Sequence, residues 1–200
     1  SLEEEAAIDE LERYIYQLQR SVMRSRMVPL KGMLIQFKRL VRDLAQMNNK
    51  IIDFKLLGED TEIDNNVIDK LKDPLKHMIR NAVDHGIEDS DERIKKGKSE
   101  SGLLKIHSYH ESGDVVIEIE DDGQGLNKEK ILKKAIEKGL VQQNHNLNEN
   151  EIFNLIFLPG FSTAEKVTDI SGRGVGMDVV RENLNSIRGE VFIKSQADKG

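Results

Sequence analysis

The stretch "GLLKIHSYHESGDVVIEIE", residues 102–120, constrains the fold more than any other part of the chain. Apolar and polar residues alternate on both sides of "ESGD", which predicts an antiparallel hairpin with one face toward a core. Around this hairpin most of the pattern is helical. Leu11, Tyr14, Ile15, Leu18 and Val22 recur at spacings of three and four, predicting one helix from residue 3 to about 25. Such a stripe cannot hide itself and needs a partner. Pro29 breaks the run, and "VPLKGM" reads as a connector. Residues 33–48 form a second helix, with Leu34, Phe37, Leu40, Val41 and Leu44 on one side. "IIDFKLLGED" is a short apolar strand. Residues 64–72 lead, as a helix or turn, into a helix starting at an Asp73 N-cap and Pro74 and closed by Gly86. "NKEKILKKAIEKG" and "MDVVRENLNSIRG" are further helices, closed by Gly139 and Gly189, and "EVFIKS" begins a strand. The whole reads as an α+β two-layer domain with an N-terminal helical arm.

Composition narrows the class. The 200 residues, 38% hydrophobic, suit one domain plus an appendage. No apolar run approaches the roughly 20 residues that span a bilayer, and no signal peptide is visible. Cys is absent, so there are no disulfides and no thiolate metal sites, which fits a reducing, cytoplasmic setting. The net charge of -6 argues against general nucleic-acid binding. An acidic start (Glu3, Glu4, Glu5, Asp9, Glu10, Glu12) precedes a basic band (Arg20, Arg24, Arg26, Lys31, Lys38, Arg39, Arg42), and both read first as solvated helix surface.

Three motifs carry chemistry. On the helix ending at Gly86, Leu71, Leu75, Met78, Ile79 and Ala82 share one face, while His77, Asn81, Asp84 and His85 share the other. The second face has short directional groups where a solvated face would carry Lys and Glu. Asn81 offers a neutral amide oxygen suited to Mg²⁺, which keeps several waters and takes phosphates as further ligands. His77 could act as a general base or bond a phosphate, and so could His85. The second motif, "EDDGQGL", leaves the hairpin's second strand. Asp121 there can accept from an exocyclic amine, and Gly123 and Gly125 leave room for a flat ring. The third, "DISGRGVGMDVV", sets Gly172, Gly174 and Gly176 before a helix, where free N–H groups make an anion site. It is not the dinucleotide fingerprint, whose spacing differs. "ERIKKGKS" is not a P-loop, because Glu92 stands where the first Gly belongs. Each motif alone also has a plain reading: a structural His, an Asp-Gly turn, a Gly-rich loop. Together and in this order they are the parts of an ATP site.

The order resembles the ATPase fold shared by gyrase, Hsp90, histidine kinases and MutL. The wording of "DPLKHMIRNAVDHGIE", "EDDGQGL" and "PGFSTAEKVTDISGRGVGMDVV", with the lead-in "VMRSRMVPL...VRDLA", resembles the chemotaxis histidine kinases of the CheA family over about residues 20 to 200. That resemblance implies a two-layer α/β sandwich with a mixed sheet and helices on one face. It implies residues 1–27 as part of a helical dimerisation domain and 28–200 as the catalytic domain, whose last strand would follow Gly200, so that the chain is a fragment. Asn81 would hold Mg²⁺. His77 and Lys166 would be catalytic, and His85 and Lys166 would touch the phosphates. Asp84, Asp121, Gly123 and Gly125 would surround the nucleotide, with Asp121 reading adenine. Phe157, Ser162 and Thr163 would belong to a lid. Gly172, Arg173, Gly174, Val175, Gly176 and Met177 would form the last glycine box. The implied reaction moves the γ-phosphate of ATP to a His on a separate phosphoacceptor domain, then to response regulators, under a receptor and coupling protein. A nucleotide-sensing module without transfer, and a water-activating ATPase of the Hsp90 or MutL kind, are the alternatives.

Overall fold

The computed structural model describes residues 2–161 and 176–200, with only the helical backbone for residues 2–5. A 24-residue helix, α1 (Leu2–Ser25), is followed by a short strand, β1 (Met27–Pro29), and helix α2 (Lys31–Met47). Strands β2 (Ile52–Leu57) and β3 (Glu62–Asp64) lead into α3 (Asn65–Asn81). A π-turn (Ala82–Gly86), α4 (Ser90–Lys95), β4 (Gly102–Glu111), β5 (Asp114–Asp121) and α5 (Lys128–Glu137) follow. Then come α6 (Glu149–Asn154), a 3-10 turn (Leu155–Phe157) and α7 (Met177–Ser186).

The hairpin forms as expected. Glu111 faces Asp114 across a two-residue loop in which Ser112 and Gly113 both have positive φ, 52° and 93°. That is the turn whose twist matches the strands. The three-stranded sheet has the order β2-β4-β5, parallel then antiparallel, so it is mixed. One face of β4 presents Leu104 and Ile106, fully buried beneath the helices. Its other face carries Lys105, His107 and Tyr109, which meet Glu120 and Glu118 across the hairpin. Among the described residues one face of the sheet is covered by helices, and the sandwich has two layers. Phe37 and Val41 of α2, Leu75 and Ile79 of α3, and Val180 and Leu184 of α7 fill the space over the sheet. A smaller cluster joins α5, α6 and the 3-10 turn through Ile131, Ala135, Phe153 and Leu155, with Phe161 beside them.

Four sequence expectations change. The helix expected at Asp73 begins at Asn65, because Asp64 caps it by accepting from the N–H of Asn66. Pro74 lies inside α3 and is buried, so its packing outweighs the hydrogen bond lost at the preceding turn. "VPLKGM" is more than a connector, since β1 pairs antiparallel with β3. "EVFIKS" alternates in burial but joins no ladder among the described residues.

Candidate nucleotide-binding site

The C-terminal end of α3 is where the motifs meet. Asn81 turns its Nδ2 toward Met177 Sδ at 3.1 Å, which ties the first motif to the start of α7 and the residue just after the last glycine. This orientation leaves the amide oxygen as the group for a hard cation, and a neutral oxygen that shares its ion with phosphates and water suits Mg²⁺. Among the described residues no group of three or more His, Asp or Glu side chains could hold a metal ion. His77 lies one turn earlier, half-buried. Burial holds its imidazole below the usual value, Arg80 adds to that, and Asp178 at the start of α7 opposes it. A neutral imidazole at pH 7 is the form that accepts a proton or a hydrogen bond.

After Asn81 the helix loosens into the π-turn, and the N–H of Ile87 reaches back to the carbonyl of Ala82 at 2.8 Å. Such turns recur at functional positions. Its last residue explains the glycines. A Cβ on Gly86 would stand 3.2 Å from both carboxylate oxygens of Asp121, and one on Gly123 would stand 2.1 Å from the Gly86 carbonyl. Gly86 does not have the left-handed conformation expected for a helix stop. It lets the Asp121 turn close on α3. Gln124 completes the junction, with its N–H on the Gly86 carbonyl at 2.9 Å and its Nε2 on the His85 carbonyl at 2.7 Å. Gly125, with φ of 71°, lies against the Gln196 carbonyl. The nearest neighbours of both glycines in the second motif are thus backbone groups.

Asp121 is half-buried at this junction. Burial pushes its carboxyl up, the hydrogen bond from the Gly123 N–H (2.9 Å) and Lys98 pull it down, and Asp122 and Glu88 push it further up. The net direction is up. A carboxylate shifted in this way is a candidate for binding a ligand.

Other expected residues stand differently. The carboxylate of Asp84 accepts from Asn48 Nδ2 at 3.0 Å, and its carbonyl accepts from Lys50 Nζ at 3.0 Å. Asp84 therefore ties the end of α3 to the residues that close α2. Lys50 also takes the Val83 carbonyl at 2.7 Å, a support for the π-turn that the sequence reading missed. His85 has an exposed side chain. Phe157, expected in a lid, is buried, with the Arg181 guanidinium of α7 5.6 Å from its ring centre. Gly176 is the N-cap of α7. Ser162, Thr163, Lys166, Gly172, Arg173, Gly174 and Val175 lie outside the described residues. An open groove of about 850 Å³ lies elsewhere, between α2 and β2; of the residues just named only Lys50 lines it.

A glycine-closed carboxylate at a strand end, an amide on the facing helix and a glycine-capped helix beyond it define a class of ATP-binding domain. Residues 70–200 match the family described as histidine kinase-, DNA gyrase B- and HSP90-like ATPase, and the chain belongs to that family. Within it, the chain is similar to the chemotaxis protein CheA of Bacillus subtilis (strain 168), 46% identical over 195 residues, covering 96% of this chain and 29% of that protein. It is 49% identical to CheA of Klebsiella aerogenes over 194 residues, covering 97% of this chain and 30% of that protein. The chain thus spans about three tenths of the length of these relatives. A histidine kinase domain from Erythrobacter litoralis EL346 overlaps 86% of this chain and 58% of that one, with a TM-score of 0.49 and 13% identity. Among the described residues no helix is long and apolar enough to cross a membrane.

Proposed function

We propose that this chain is the Mg-ATP-binding catalytic core of a chemotaxis-type protein histidine kinase, which transfers the γ-phosphate to a histidine on a separate phosphoacceptor domain. The observation that carries this reading is that the end of α3 touches both other motifs: Asn81 bonds Met177 at the start of α7, and the half-buried Asp121 carboxylate packs against Gly86. Asp121 accepts from the exocyclic amine of adenine and sets the purine end of the nucleotide. Asn81 holds the magnesium ion, which neutralises phosphate charge when bound. Gly172, Arg173, Gly174, Val175, Gly176 and Met177 are assigned to the triphosphate by the family resemblance, as are Lys166, Ser162 and Thr163. Phosphoryl transfer asks mainly for positioning and charge stabilisation, which these groups supply. His77, held neutral, accepts the proton or hydrogen bond released at the acceptor. The water-activating ATPases place a carboxylate where His77 stands, which sets this site apart from them.

The division into a dimerising arm, 1–27, and a catalytic domain, 28–200, belongs to the same reading. The apolar stripe of α1 is exposed, and a second copy of the arm would cover it. Response regulators, a receptor and a coupling protein are partners of the longer protein, in the cytoplasm. The test is to mix the chain with a separate phosphoacceptor domain and γ-labelled ATP. Label on the acceptor His is expected. Nucleotide binding without label transfer would instead identify a sensing module.

A further inference from the structure

The sequence contains one phosphate-like motif that the site does not use, "ERIKKGKS", and the structure shows what it does. Lys98 donates its Nζ to the carbonyl oxygens of Asp122 at 2.9 Å and Gly123 at 2.7 Å, and to Glu88 Oε1 at 2.9 Å. Arg93, 1% exposed, donates Nη2 to Asp122 Oδ2 at 2.7 Å. Its Nη1 reaches Glu88 Oε2 at 3.2 Å and the Asp122 carbonyl at 3.3 Å, and its Nε reaches the Ser99 carbonyl at 2.7 Å. The second carboxylate oxygen of Asp122 accepts from the N–H of Leu103 at 2.8 Å. Lys96 adds a bond to Glu88 at 3.2 Å and one to Asp198 at 2.6 Å.

Buried ion pairs of this kind are poor stabilisers, because desolvation offsets their attraction. What this cluster fixes is a position. Two of its cations end on the residues that follow Asp121, and Asp121 is the carboxylate closed in by Gly86. The lysine is also the positive charge that opposes the burial of Asp121, while Asp122 and Glu88 work against it.

We propose that Lys98 is a positioning residue for base recognition: by holding the carbonyls of Asp122 and Gly123 it fixes the Asp121 carboxylate in line with the exocyclic amine of an adenine. This rests on the reading that Asp121 takes the base. Glu88 and Arg93 act one step further back, by seating Lys98 and Asp122.

The experiment is isothermal titration of wild type, Lys98→Met and Glu88→Gln with two magnesium-bound nucleotides: the β,γ-imido analogue of ATP, and purine riboside triphosphate, which lacks the 6-amino group. Wild type should prefer the adenine nucleotide. Lys98→Met should weaken that nucleotide about tenfold, the scale of one hydrogen bond to a charged group, and change the other less than about twofold. The preference then collapses while the melting temperature stays within a few degrees. Glu88→Gln, which loosens Lys98 without removing it, should move the preference in the same direction by less, and it decides the matter if Lys98→Met does not fold. An unchanged preference in the folded variant overturns the inference, even if overall affinity falls. Wild type that binds neither nucleotide overturns the nucleotide reading itself.

Discussion

Two helices of this chain, α1 and α3, are both amphipathic, and they use that property in opposite ways. The apolar stripe of α1 is exposed along its length, from 46% at Ile15 to 65% at Leu18. Most of that of α3 is buried, Ile68, Leu71, Leu75 and Ile79 all lying between 0% and 8% exposed, with Met78 partly buried beside them. The opposite, polar face of α3 is the unusual one, holding Asn81 toward α7 and His77 partly shielded. In α1 the apolar face stays exposed, and we propose that a second copy covers it. In α3 the core takes the apolar face, and the polar face is the one we propose for the nucleotide. Helical periodicity alone does not separate these cases, whereas the residue types on the non-core face do.

The comparison breaks most readily at Asn81. Asn81→Ala should abolish label transfer, a loss of more than about a thousandfold, because the metal position and the link to Met177 go together. A single-turnover assay reads it. His77→Gln should keep nucleotide affinity within about twofold and slow transfer by roughly 10²-fold or more, the scale of a lost general base. The same variant sharpens the electrostatic account. The folded value of His77 lies below its ordinary 6.5, so the unfolded chain binds more protons between the two values. Wild-type stability should therefore fall as pH drops below about 6.5, and this decline should be shallower in His77→Gln, as urea melts at several pH values will show.

Asp121→Asn comes next. It should weaken the ATP analogue about 10- to 30-fold by removing a charged acceptor. It should also raise the melting temperature of the free protein slightly at pH 7. The folded value of Asp121 is raised, so keeping it ionised costs stability once pH has risen through that value. A variant destabilised when free would argue that Asp121 supports the fold rather than a ligand. The smallest effect on the catalytic body belongs to α1. Leu11→Ser with Leu18→Ser should shift the chain toward monomer in analytical ultracentrifugation. Nucleotide affinity should not change, and the melting of the catalytic body should move by less than about 0.5 kcal/mol per site.

The sequence was legible where signals are local and periodic. The hairpin, α2, α5 and the core face of α3 follow from spacing and turn residues alone. It misled where one local signal competed with another farther off. Asp73-Pro74 looks like a helix start, but Asp64 caps the same helix nine residues earlier, and Leu71 and Leu75 pack continuously past the proline. The capping box Asn148–Glu151 of α6 was readable and overlooked. The sequence set out the Asn81 helix, the Asp121 turn and the glycine box in order, yet the packing of Gly86 against Asp121 and Gly123 was not visible in it. Gly86 and Gly123 meet across 37 residues of sequence, a contact no local pattern encodes. Lys50, Arg93 and Lys98 were missed likewise, because each supports a backbone distant in the chain.

Amide hydrogen exchange with and without the magnesium-bound β,γ-imido analogue of ATP tests the central claim most directly, since it reads all three motifs in one experiment. Protection should rise together at residues 77–86, at 121–125 and at the start of α7, with α1 unchanged. Protection confined to one of those segments, or to the groove between α2 and β2, would contradict a single shared nucleotide site.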